Sequence, residues 1–328
     1  MRMFKLALAA AAAFALGAQT TITRAQDFPA RPVTMIVPYA AGGAGDILAR
    51  LLGAKLETKW GGKPLVIENK TGAGGIIGAK FTASAEADGY TMMIAPSATM
   101  AVNVSLFKSL PYDPAEDFVP LALAAQTPFV LVVNPDVPVK TVAEFIKWAK
   151  EQGGKLSYAT AGPGVPHHLF AELFKSMTGI EMTPVAYRGS LPALNDVIAG
   201  HVPVMFVDLG PALGLIQGGK VRPLGISTKQ RFAALPDVPP INDTVPGFDA
   251  ASWQMIVAPA KTPPAVVAKL HDDIASILAT KESQDETVKS GMLPVNPPMS
   301  VDALKKFVKD EIERWRKVVK QAGLEGTM

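Results

Sequence analysis

The chain has 328 residues, with 32 Lys and Arg against 29 Asp and Glu, 48% hydrophobic residues and no cysteine. That length suggests two domains, and the missing cysteine excludes both disulfides and thiolate chemistry. The formal net charge of +3 comes without any cluster of basic residues interleaved with aromatics, which excludes a nucleic-acid footprint.

Arg2 and Lys5 precede an apolar run from Leu6 to Gly17, and a polar stretch then ends in Thr23, Arg24 and Ala25. A basic start, a short apolar run and a small-residue end form an export signal over residues 1–25. Cleavage after Ala25 fits best, and cleavage after Ala18 is the rival. The run is shorter than the roughly 20 residues that span a bilayer. Residues 1–25 hold Arg2, Lys5 and Arg24 and no acid, so the remainder is balanced at 29 basic and 29 acidic residues. The mature chain is expected to be soluble and periplasmic.

Beyond the signal, short apolar runs alternate with helical patterns. TMIVPY (34–39), LVIEN (65–69) and TMMIAP (91–96) read as strands buried on both faces, the mark of parallel sheets in βαβ order. Ile47, Leu48, Leu51, Leu52 and Leu56 give a helix between the first two strands. FVPLALAAQTPFVLVVN (118–134) is too long for an ordinary strand. It reads as a strand that leaves one domain and enters another near residues 124–127. A second α/β unit follows. Thr141 and Glu144 form a capping box for its first helix, LSYAT (156–160) leads to a helix closed by Gly179, and MTPVAY, VPVMFVD and VRPLGIS supply further strands. SWQMIVAP (252–259) is a second crossing strand. In the last helix Val301, Leu304, Val308, Ile312, Trp315 and Val319 share one face, expected to pack on the first domain, and Gly323 stops it. Two crossings give a discontinuous first lobe, residues 26–125 with 251–328, and a second lobe, 126–250. The fold class is α/β, two lobes with a cleft between them.

Two glycine-rich loops each follow a strand and open a helix, one per lobe: PYAAGGAGD (38–46) and ATAGPGVPHH (159–168). Ligands of open α/β sheets sit beyond the carboxyl ends of the strands, and helix starts offer unpaired N–H groups to anions. The candidate contacts are Tyr39, Ala40, Ala41, Gly43 and Asp46 in the first loop, and Thr160, Ala161, Gly162, Gly164 and His167 in the second. Each loop alone is as well explained as a tight βα turn, and their recurrence favours a site. Asp46 also reads as the N-cap of its helix. His167 and His168 follow Pro166 at the first helical position, where a histidine could donate to a carboxylate. Tyr187, Arg188 and Asp208 end second-lobe strands and face the same cleft; Arg188 is either a carboxylate partner or a solvated loop residue. No metal motif, GxSxG or convincing nucleotide loop is present, and TGAGGIIGAK (71–80) has glycines at GxGxxxG spacing, a weak match.

The chain resembles the Bug-type solute-binding proteins, the TctC-like periplasmic receptors of tripartite tricarboxylate transporters. FPARPVTMIVPYAAGGAGD, VIENKTGAGGIIGAK, ADGYTMMIAP, PYDPAEDFVP, LSYATAGPGVPHH, VAYRGSLPALNDVIAGHV, RFAALPDVPP and WQMIVAPAKTPP carry the resemblance in order along the mature chain. It implies a Venus-flytrap architecture with the crossing strands as hinge, and a receptor that binds small carboxylates without chemistry, with the two loops as pincers acting through backbone amides, hydroxyls and water. It also implies that Ser97, Tyr187 and Asp208 line the cleft. WGGKP (60–64), VPPINDTVPGF (238–248) and the His167–His168 pair depart from the family pattern, and the last bears on ligand choice. The implied partners are a small carboxylate and the membrane subunits of such a transporter, with the receptor a monomer, without cofactor or metal. An exported α/β enzyme using Asp46 and His167 as acid and base is the alternative from another class. A receptor for a sensor protein is a third.

Overall fold

The computed structural model describes residues 28–321 and 323–328; the export signal read over 1–25 lies outside them. The chain opens with β1 (Val33–Val37), α1 (Ala44–Lys59), β2 (Leu65–Asn69), α2 (Ile76–Ala83) and β3 (Thr91–Pro96). β1 pairs in parallel with β2 and with β3, so each connection must cross over through a helix. Period-2 alternation then sorts the side chains onto two apolar faces. Met35, Met92 and Ile94 pack with Leu48, Leu52 and Leu56 of α1 and with Leu270 and Ile274 of α8 (Pro264–Leu278). Ile36, Met93 and Ala95 face the opposite way, toward Ala79 of α2 and the stripe Leu304, Val308, Trp315 and Val319 of α10 (Val301–Gln321).

A short helix, α3 (Asn103–Leu106), precedes β4 (Phe118–Val133), a 16-residue strand. Its first part pairs antiparallel with β9 (Ala251–Pro259) from Phe118 to Pro128, and its last part pairs with β7 (Val204–Asp208) and β8 (Arg222–Ile226) from Phe129 onward. One strand therefore belongs to two sheets. The second sheet adds β5 (Ser157–Thr160) and β6 (Thr183–Ala186), parallel to one another, with β5 parallel to β7. The strand order is β2-β1-β3-β9-β4-β7-β5-β6, with β8 and the two-residue β10 (Leu293–Pro294) also on β4.

Four helices flank the second sheet: α4 (Val142–Glu151), α5 (Pro166–Thr178), α6 (Ser190–Ile198) and α7 (Leu209–Gln217). α9 (Lys281–Lys289) returns the chain to β10. Thr141 caps α4 as expected, accepting from Glu144 N at 3.1 Å, but the Glu144 carboxylate reaches one residue further back, to Lys140 N at 2.6 Å. Gly179 closes α5 in the left-handed conformation. The stripe of α10 packs on the first sheet, as the periodicity implies, and Trp315 also stacks on Phe170 of α5 with ring centroids 5.9 Å apart.

Candidate functional site

Both singled-out loops leave the carboxyl end of a strand and start a helix, and each touches elements of the other sheet. A Cβ on Gly42 would lie 3.0 Å from Leu191 Cδ1 of α6, and one on Gly189 would lie 3.7 Å from Ala40 Cβ. On the other flank, a Cβ on Gly74 would be 4.0 Å from Pro163 O, and one on Gly164 would overlap Leu106 of α3. The β1–α1 loop thus meets the start of α6, and the β5–α5 loop meets Gly74 and α3.

The first loop is braced from within. Gly43 is the N-cap of α1, and Asp46 sits in the first turn rather than at the cap. The sequence expectation fails because Gly43, not Asp46, holds the extended cap conformation, with φ −81° and ψ 169°. From its place in the turn the Asp46 carboxylate reaches back to accept Gly42 N at 3.1 Å, Asn69 Nδ2 at 3.2 Å and Arg50 Nε at 3.0 Å. Burial alone would raise its pKa, but the Arg50, Gly42 and Asn69 hydrogen bonds outweigh this and lower it. Asn69 Nδ2 also donates to Tyr39 O at 2.9 Å, and Tyr39 OH donates to Gly74 O at 3.1 Å. Burial pushes the Tyr39 phenol upward, so it stays a neutral donor. The first i to i−4 bond of α1 is Ile47 N to Gly43 O, which leaves the preceding amides of Gly43 to Asp46 without helical partners.

The second loop spends several of its polar groups on itself. Thr160 Oγ1 donates to Gly162 O at 2.9 Å and lies 3.4 Å from Gly162 N. Gly164 N donates to His168 Nδ1 at 3.0 Å. Burial lowers the pKa of His168, with Lys175 adding to the effect and Glu172 opposing it, so that nitrogen is kept as an acceptor. Pro166 carries no N–H, and the Ala161, Val165 and His167 amides have no hydrogen bond among the described residues.

His167 and Asp208 meet across the floor of the second sheet: His167 Nε2 is 2.9 Å from Asp208 Oδ1 and 3.2 Å from Ser190 Oγ, and Ser190 also donates to Asp208. A carboxylate only accepts, so Nε2 carries the proton. Burial would raise the Asp208 pKa, but the His167 hydrogen bond and charge, with Ser190, bring it below its ordinary value. His167 Nδ1 is buried with no hydrogen-bond partner among the described residues, and the ring stands edge-on to Phe129 at 4.9 Å. Ser97, buried at the end of β3, contacts Ser252 Oγ at 2.9 Å. Tyr187 N donates to Thr160 O at 2.8 Å, while its hydroxyl turns to Asp196 at 2.5 Å; burial and then that carboxylate push the phenol up to about 12. Arg188 is exposed. Asp46 and His167 do not hydrogen-bond one another; each is held by partners of its own.

Comparison with known proteins decides the family. The tripartite tricarboxylate transporter family receptor matches residues 48–324. The chain belongs to that family. Protein BugT of Bordetella pertussis is 36% identical over 91% of each chain. A Rhodopseudomonas palustris protein solved with adipate superposes with a TM-score of 0.87 at 37% identity, over 90% of this chain and 98% of that one. MatC from the same organism, solved with bound malate, gives 0.83 at 33% identity, over 89% and 100%. The chain thus has the two-domain α/β fold of periplasmic binding proteins, with β4 shared between its two sheets.

The sequence motifs do not point to five residues that the fold places beside the two loops and the singled-out Ser97 and His167: Leu106, Thr127, Ser190, Ser252 and Gln254. For three of them a signal exists. Thr127, Ser252 and Gln254 are buried polar residues inside largely apolar strands, and polarity in such a run marks a place where the strand does more than fill the core.

Proposed function

We propose that the chain is an exported receptor that captures a small carboxylate between the loops at 38–46 and 159–168 and passes it to the membrane subunits of a tripartite tricarboxylate transporter. One observation carries this reading. Two helix starts, on α1 and α5, each follow a loop that touches elements of the other sheet, with no basic side chain in the first loop and only His167 and His168 in the second. An anion there is held by backbone N–H groups and helix dipoles. Similarity to receptors solved with adipate and with malate supports the ligand class. Lobe 1 (26–125 with 251–328) and lobe 2 (126–250) close about β4 and β9, and a ligand touching both stabilises the closed form. The protein works as a periplasmic monomer, freed of residues 1–25.

The role is binding, without catalysis. Ser190, His167 and Asp208 have the residue types of a hydrolytic triad, but Ser190 Oγ and Asp208 Oδ1 both face His167 Nε2. A triad base needs serine and carboxylate on opposite ring nitrogens.

The test is a thermal-shift screen of mono-, di- and tricarboxylates on the mature protein, followed by calorimetry and small-angle scattering. The expected result is a roughly micromolar carboxylate that reduces the radius of gyration. A protein that binds no carboxylate, or turns one over, overturns the reading.

A further inference from the structure

Beside the proposed anion grip lies a group of uncharged polar side chains that the grip does not use. Ser97, Thr127, Ser252 and Gln254 are 0, 1, 2 and 5% exposed. Register brings them together. Thr127 on β4 stands opposite Ser252 on β9, and directly paired residues of antiparallel strands share a face. Gln254 lies two residues along β9, on that same face, opposite Pro96 of β3. Ser97 follows Pro96, and its hydroxyl meets Ser252 Oγ at 2.9 Å. Gln254 Oε1 extends under the first turn of α1, where a Cβ on Gly45 would lie 3.3 Å from it.

These groups are incompletely satisfied. Thr127 Oγ1 and Gln254 Oε1 have no hydrogen-bond partner among the described residues. The Ser97–Ser252 contact uses one hydroxyl proton and leaves the other free. Buried polar groups are nearly always paired in native proteins, and folding does not require polarity here. The opposite face of the same stretch carries Trp253 and Met255 in the core, and from Met255 to Ala258 β9 is apolar on both faces. β9 is polar on one face only where it meets the end of β3 and passes beneath the first turn of α1.

We infer that Ser97, Thr127, Ser252 and Gln254 form a second subsite of the cleft that reads a hydroxyl group on the ligand, so that the receptor selects hydroxy acids over their deoxy counterparts. This rests on the proposed carboxylate grip and adds the other end of the ligand to it. Donor and acceptor inventory selects the hydroxyl. Thr127 and the serine pair supply O–H donors, and Gln254 Oε1 supplies an acceptor; one group that both accepts and donates satisfies them together. An alkyl carbon leaves all of them unpaired; a second carboxylate, which only accepts, can pair with the O–H donors and, with the Gln254 amide turned over, with its Nε2–H, so each matched pair below holds the number of carboxylates fixed.

The experiment is calorimetry on the mature protein with matched pairs: butyrate and 3-hydroxybutyrate, succinate and malate, glutarate and 2-hydroxyglutarate, tricarballylate and citrate. On the skeleton that binds, the hydroxy member should bind at least tenfold more tightly than its partner. Thr127→Val and Gln254→Met keep size and remove the hydrogen-bonding atoms, and each should bring that ratio toward one. Thr127→Val removes an unpaired hydroxyl, so its ligand-free melting temperature should hold or rise, which shows that the variant is folded. A wild-type ratio near one, or a ratio unchanged in both variants, overturns the inference and leaves the carboxylate reading standing. If no acid of either kind binds, the carboxylate reading itself fails and takes this inference with it.

Discussion

Gly164→Ala places a methyl group where the structure has neither the backbone conformation nor the room for it. Gly164 has φ +70°, a left-handed conformation that costs an L-residue about 1–2 kcal/mol. That cost falls on the folded protein whether or not ligand is bound. A Cβ there would also overlap Leu106 Cδ2 and lie 3.3 Å from its Cγ. Leu106 is 1% exposed and belongs to α3, on the other side of the cleft. Overpacking of this kind costs about 1–3 kcal/mol, and it acts only while the two sides are together. The ligand-free protein should therefore lose about 1–2 kcal/mol in urea denaturation. Ligand binding should weaken by a further factor of about 5 to 150, at 1.4 kcal/mol per tenfold. Gly43→Ala is the contrasting variant: its φ is −81° and its Cβ meets nothing closer than Ala40 O at 3.7 Å. Its ligand-free stability should change by less than about 1 kcal/mol, the weight of an N-cap. Any loss of binding there reports crowding of the ligand alone. Adding Leu106→Ala to Gly164→Ala should restore part of the affinity and none of the left-handed strain. If Gly164→Ala binds as wild type does, or the double variant recovers nothing, the overlap with Leu106 is not what closure has to accommodate.

Three further outcomes follow from the same geometry. Because the fold lowers the His168 pKa while the unfolded chain protonates histidine near pH 6.5, the unfolded state binds more protons below that value. Ligand-free stability should fall as pH drops through about 6.5, and His168→Gln should flatten that slope in urea denaturation at pH 5 to 8; an unchanged slope removes His168 as its source. Glu311 Oε2 accepts from Trp253 Nε1 at 2.6 Å and Trp315 Nε1 at 3.0 Å, so Glu311→Ala should cost about 2–6 kcal/mol, about 1–3 for each buried donor left unpaired, read by tryptophan fluorescence on unfolding. Arg188→Ala, at an exposed position, should change carboxylate affinity by less than about threefold, within the roughly 0–1 kcal/mol of a surface charge; abolished binding would move recognition to an Arg–carboxylate pair.

What the sequence makes legible here is what local pattern encodes. Val33–Val37 and Thr91–Pro96 are apolar on both faces because helices cover both, and that leaves a continuous apolar run in the chain. Gly179 is a left-handed cap and Thr141 a hydroxyl cap, each recognisable from its immediate neighbours. The roles of the loop residues were less legible, because they depend on where spare hydrogen bonds go. Asp46 looked like a cap, yet it braces Gly42, Asn69 and Arg50 from inside the turn. Thr160 looked free for a ligand, yet it donates to Gly162 O two residues away. The cleft floor was hidden for another reason: Ser97 and Ser252 are 155 residues apart, and Leu106 meets Gly164 only through the fold. Pairings of that range leave no periodicity in the sequence.

The acidic groups beside the two loops are paired inside the protein, and on the proposed reading this limits how a carboxylate is held. Asp46 is matched by Arg50, and Asp208 by His167. An arriving anion therefore finds no bare guanidinium or ammonium in either loop, only amide dipoles fixed by the helix starts and by internal braces. An exposed arginine would have to be desolvated and ordered at each binding event, whereas the amides are ordered before the ligand arrives, so little reorganisation opposes closure. A grip of this kind recognises negative charge with little regard to the rest of the molecule. Discrimination must then come from groups that are costly to leave unpaired, since a site built around a hydrogen-bonding substrate rejects an analogue that lacks the group far better than an apolar pocket rejects a changed alkyl chain. Thr127 Oγ1 and Gln254 Oε1 on β4 and β9 meet that description, as does His167 Nδ1 on α5; on the inferred subsite the choice between ligands is to be sought on β4 and β9, and the capture of charge on the two loops.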